Sequence, residues 1–120
     1  IRYAIYNSSN LGLVIIDGIR DLMHDINNSA EATNLVGDLM QWTGEKNVHI
    51  QTVLHLNKGD DNARGHIGTE LNNKAESVLL IAKDTKDADR SVVSPAVIHS
   101  KALHPLPLSC PKMMEYAFLS

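Results

Sequence analysis

Asp17 stands at the end of the apolar run Leu13-Val14-Ile15-Ile16 and is followed by Gly18. A carboxylate where a buried strand emerges can hold a magnesium ion, and the same placement suits an acid that caps the next helix. His55 closes a second apolar stretch, with Lys58 soon after it and Arg64, Gly65 and His66 beyond. An imidazole at a strand end can hydrogen-bond a phosphate oxygen, or it can simply pack or cap. Lys58, Arg64 and His66 gather basic charge in a chain of formal net charge −3, so a phosphate-bearing ligand would be held locally rather than by the whole molecule. The plain alternative for these cations is a solvated loop beside Asp60 and Asp61. Nucleophilic catalysis has little support, because no serine or cysteine sits in a recognisable strand-turn-helix elbow.

Such side chains need rigid elements to position them. The residues before Asp17 do not alternate with polar ones, and a run of branched side chains suits a strand covered on both faces. The expected fold is therefore α/β with a mainly parallel sheet, whose ligands gather at the carboxyl ends of the strands. Residues 30–44 place Ala32, Leu35, Val36, Leu39 and Met40 at helical spacing, with Ser29 as the N-cap and Gly44 just past the end. Trp42 fits core or rim packing. Residues 48–56 then form the next parallel strand of a βαβ unit, and the polar stretch 57–68 is a long loop leading to a short helix near 68–74. Asn72, Asn73, Lys74 and Glu76 read as a polar helix face.

Residues 77–83 and 91–100 make a carboxyl-terminal β-hairpin. Pro95 cannot donate to a ladder, so its strand belongs at an edge or carries a bulge. Residues 1–102 form the core of one domain, and 103–120, with Pro105, Pro107 and Pro111, form an irregular tail. His99, Lys101 and His104 make a second, looser cationic patch. With 43% apolar and 21% charged residues the composition is that of a soluble globular domain. Cys110 is the single cysteine, which excludes an internal disulfide and a multi-cysteine zinc site. No apolar stretch reaches the ~20 residues of a membrane helix and no signal core opens the chain, so a cytoplasmic protein that engages no membrane is expected.

The strand ending on Asp17, the strand ending at His55 with Lys58 after it, and the segment Arg64-Gly65-His66-Ile67-Gly68-Thr69-Glu70-Leu71 occur in a telling order. Over roughly residues 1–100 the chain resembles the carboxyl-terminal part of RecA-like P-loop ATPases of the hexameric helicase RepA-like type, including ATPases of plasmids and mobilizable transposons. The resemblance implies a partial RecA-like three-layer domain and a DNA-dependent ATPase serving replication or mobilization of such an element. It makes Asp17 the Walker B acid that holds Mg2+ through a water, and His55 a residue beside the γ-phosphate of ATP. It makes Lys58, Arg64 and His66 candidates for contact with single-stranded DNA in the channel of a hexameric ring. Arg64 could instead serve as an arginine finger across a subunit boundary.

The pattern G-x-x-x-x-G-K-[ST], which wraps phosphates, does not occur in these 120 residues, and no acid lies in the first ten to serve as the catalytic glutamate. The first residue is Ile rather than Met, which reads as a chain joined partway through a longer ATPase. On that reading the chain alone should hydrolyse no ATP, because positioning supplies most of the catalysis in phosphoryl transfer, and it should hold no nucleotide tightly. Self-association through an exposed sheet flank is expected. The alternative is a non-enzymatic α/β module for interaction or DNA binding, a degenerate ATPase.

Overall fold

The computed structural model describes residues 1–55, 65–87 and 89–99 and the backbone of residues 114–119. Helix α1 (Arg2–Asn7) leads into strand β1 (Leu13–Asp17), and a 3-10 turn (Ile19–Leu22) precedes helix α2 (Ser29–Lys46). Strand β2 (His49–His55), helix α3 (Gly65–Lys74), and strands β3 (Ser77–Lys83), β4 (Ser91–Ile98) and β5 (Met114–Leu119) follow. The strands form one sheet in the order β1-β2-β5-β3-β4. Strands β1, β2, β5 and β3 run parallel, and β4 returns antiparallel to β3. The α/β character, the β1-α2-β2 unit and the terminal hairpin follow the expectation from sequence.

Helix α2 forms where its apolar side chains recur on one face: Ala32, Val36 and Leu39 are buried, and Trp42 joins them. Its ends differ from the expected ones. Asn28, not Ser29, is the N-cap, because the Asn28 Oδ1 accepts the Glu31 amide at 3.0 Å. At the other end the helix runs through Gly44 to Lys46, and Asn47 takes the left-handed conformation at φ 51°. Asn tolerates that region better than other side-chain-bearing residues, so it ends a helix without glycine.

The core lies on one side of the sheet. Ile16, Ile50, Leu54 and Val78 join Ala32, Val36 and Leu39 of α2, Ile67 and Leu71 of α3, and Ile5 of α1 in one apolar cluster. Along β2, Ile50, Thr52 and Leu54 are buried while His49, Gln51 and Val53 are half-exposed. β1 obeys the same alternation despite its unbroken apolar sequence, with Ile16 buried and Leu13 and Ile15 at 50% and 62% exposure. Cover on both faces of β1, as its sequence predicted, is therefore not provided by the described residues. Their helices lie on one face, and β1 is the outermost strand of the sheet on that side.

At the other edge β4 carries Pro95 as expected, and the β3–β4 register shifts between Val78 and Leu79, opposite Val97 and Pro95. The third departure concerns the tail. Residues 114–119, expected to be irregular, form the central strand, whose backbone pairs with both β2 and β3. Helix α3 thus connects two strands that are not neighbours, and β5 closes the gap between them.

Candidate functional site

Asp17 is exposed at the carboxyl end of β1, in register with Val53, and His55 is exposed at the end of the neighbouring β2. Strand alternation puts both on the face opposite the core, together with Leu13, Ile15 and Gln51. The Asp17–Gly18 peptide is cis. Beyond it the chain makes the 3-10 turn, in which the Asp21 amide donates to the Gly18 carbonyl at 3.1 Å and Ile19 plugs into the core.

The segment after the turn is built into a bridge between the two helices. Glu31, in the first turn of α2, receives the His24 amide on Oε1 at 2.8 Å and the Asp25 amide on Oε2 at 3.1 Å. These two backbone donors lower the Glu31 pKa from the ordinary glutamate value, against a smaller opposing effect of desolvation. Asp25 Oδ1 in turn accepts the Asn27 amide at 2.9 Å, and the Asp25 carbonyl accepts the Asn28 amide at 3.0 Å. On the far side the Ile26 carbonyl accepts the His66 amide at 3.2 Å, in the first turn of α3.

Gly65 makes that approach possible. Its φ is +66°, and a Cβ on it would lie 2.5 Å from the Ile26 carbonyl oxygen. Both the conformation and the space therefore call for glycine. Gly65 is visible in the sequence, but the reason for it, the contact with Ile26, is not.

Of the residues singled out from sequence, Asp17 and His55 are brought to one edge on adjacent parallel strands. His66 is exposed in α3, its backbone held by Ile26. Lys58, Arg64, Lys101, His104 and Cys110 lie outside the described residues. His99 does not join the Asp17 edge: its Nε2 lies 3.2 Å from the Asn72 carbonyl oxygen, and its amide donates to the Glu76 carbonyl. Among the described residues no group of three His, Cys, Asp or Glu side chains converges as a metal cage. Magnesium does not need one, since it commonly takes one or two carboxylates and fills its octahedron with water and phosphate oxygens. A single exposed acid at a strand end fits that demand.

Sequence reasoning missed Glu31 and Asn28. The spacing Asn28-Ser29-Ala30-Glu31 is a capping-box pattern that could have revealed them. Here the glutamate reaches past the cap to the preceding turn, which no local rule anticipates. At the opposite end of β1, Glu45 accepts from the Tyr6 hydroxyl and from Gln41, which lower its pKa in that order, and the Tyr6 bond ties α1 to α2.

Comparison with protein families, curated proteins and solved structures finds no match for this chain. The class it defines is a small α/β domain with helices on one face of a mainly parallel sheet. No helix among the described residues is long and apolar enough to cross a membrane.

Proposed function

We propose that the chain is the carboxyl-terminal part of a RecA-like, DNA-dependent ATPase serving replication or mobilization of a plasmid or transposon. The observation that carries this reading is the pairing of β1 and β2, which brings Asp17 and His55 to the carboxyl ends of adjacent parallel strands and to the same face, with Asp17 opposite Val53 and His55 two residues further on. Ligands of open parallel sheets bind at that edge.

Asp17 is the residue that would hold Mg2+ there, through a water, opposite the phosphates of ATP. Bound magnesium supplies charge neutralisation at the β and γ phosphate oxygens. His55 offers a ring N–H to a γ-phosphate oxygen and so reports the nucleotide state. Lys58, Arg64 and His66 supply cations to single-stranded DNA, whose backbone is gripped by flexible charge without sequence reading. Arg64 has a second role open to it, as an arginine finger in a hexameric ring.

Titration of magnesium and ATP into the isotope-labelled chain, followed by backbone NMR, tests this. Without a phosphate-wrapping loop the affinity should be weak, with a Kd on the order of 1 mM, about 4 kcal/mol. Shifts should centre on Asp17, Gly18 and His55, and Asp17→Ala should abolish their magnesium dependence. Shifts that avoid this edge, or that are indifferent to Asp17, would rule the reading out.

A second reading, a non-enzymatic interaction module, is favoured by the uncovered apolar face carrying Leu13 and Ile15. It predicts self-association that survives Asp17→Ala and weakens in Ile15→Lys, read by sedimentation velocity. A chain that stays monomeric at high concentration would remove it.

A further inference from the structure

We infer that Glu31 is a positioning residue that ties the segment after Asp17 to the first turn of α3, so that the two move as one unit. The geometry is a chain of short links. Glu31 holds the His24 and Asp25 amides with its two carboxylate oxygens. The next residue, Ile26, offers its carbonyl to the His66 amide, and Gly65 lets the backbones close to that distance. Asn28 locks the base of the clamp by capping the helix that carries Glu31. A displacement of residues 24–26 therefore displaces the start of α3, and the converse holds.

The link matters for function because residues 18–26 follow directly on Asp17, and α3 begins directly after Arg64. A ligand at the β1 end thereby acquires a route to α3 through backbone hydrogen bonds that a single carboxylate keeps in register. The importance of that route rests on the reading of Asp17 given above, whereas the link itself is a property of the unliganded chain.

Residue-resolved amide hydrogen exchange without nucleotide tests the link. Glu31→Gln keeps the side-chain shape and exchanges one acceptor oxygen for a donor. Exchange at His24 or Asp25 and at His66 should accelerate together, by about tenfold for one lost charge-assisted bond. Ile50 and Thr52, in the sheet, should be unchanged. Acceleration confined to residues 24 and 25, with His66 unmoved, overturns the coupling.

If Glu31→Gln also speeds Ile50 and Thr52, Gly65→Ala approaches the same link from the α3 side. It should accelerate His24 and Asp25 as well as His66, normalised to the sheet amides; no effect at 24 and 25 overturns the inference. Magnesium and ATP then separate the two claims. A wild-type chain in which nucleotide changes His66 exchange, and a Glu31→Gln chain in which it does not, supports both. Correlated rates at 24, 25 and 66 that ignore nucleotide keep the link and discard its use as a route from Asp17.

Discussion

At the scale of single residues Gly65 is the glycine, among those described, that both conformation and space require. A side chain there must adopt φ +66° and also meet the Ile26 carbonyl oxygen at 2.5 Å. Gly65→Ala should therefore cost about 2 kcal/mol or more, since left-handed backbone strain alone is in the 1–3 kcal/mol range. Urea denaturation measures it, and a neutral result would mean that the Ile26 contact yields freely. Glu31 makes a pH prediction. Its folded-state pKa is lowered, chiefly by the His24 and Asp25 amides, so the carboxylate stabilises the fold above the ordinary glutamate range. That contribution is lost as pH falls through the lowered value. The urea midpoint of the wild type should exceed that of Glu31→Gln near neutrality, and the gap should shrink toward acid. A gap that is constant down to low pH would show that ionisation of Glu31 is irrelevant. Asp17 and His55 were identifiable as strand-end residues from sequence; Glu31 was not, because its partners are backbone amides of a turn whose path is set by the fold.

At the scale of elements, α2 shows how far local signals carry. Its apolar spacing located the helix, while its ends were set by two asparagines. Asn28→Ala should cost about 1 kcal/mol of stability and Ser29→Ala much less. Gly44 sits inside the helix, and nothing lies within 4 Å of a Cβ placed on it. Gly44→Ala should therefore stabilise the chain by about 0.5–1 kcal/mol. Thermal unfolding of these variants checks the cap and the helix end independently, and destabilisation by Gly44→Ala would return the helix end to the position expected from sequence. The hairpin of β3 and β4 was legible because the charged stretch 84–90 separates two apolar runs and Pro95 marks the edge. Strand β1 was legible as a strand but not in its burial, since an apolar run reports what a face could bury and not whether another layer reaches it.

At the scale of the whole molecule the central position of β5 governs how the sheet coheres. β2 and β3 pair with β5 and not with each other. A chain ended after His99 would leave the inner edges of both strands unpaired. It should unfold at lower urea and with a smaller dependence on denaturant than the full chain, because less surface is buried cooperatively. An unchanged midpoint and slope would show that β5 contributes nothing to the folded sheet. Leu13, Ile15 and Val93, on the sheet face opposite the core, are exposed, so among the described residues one face of the sheet carries the whole core.

The amino-acid sequence by itself determined the elements with strong local patterning: β1 ending on Asp17, the α2 periodicity, β2 ending on His55, and the hairpin marked by Pro95. Each follows from side-chain period, branching or the missing proline donor, which act within a few residues. Tertiary structure alone decided which faces are buried, that residues 114–119 enter the middle of the sheet, and that Glu31, Ile26 and Gly65 join two helices. Those outcomes depend on pairings between distant segments, where backbone amides and carbonyls find partners that no local spacing specifies.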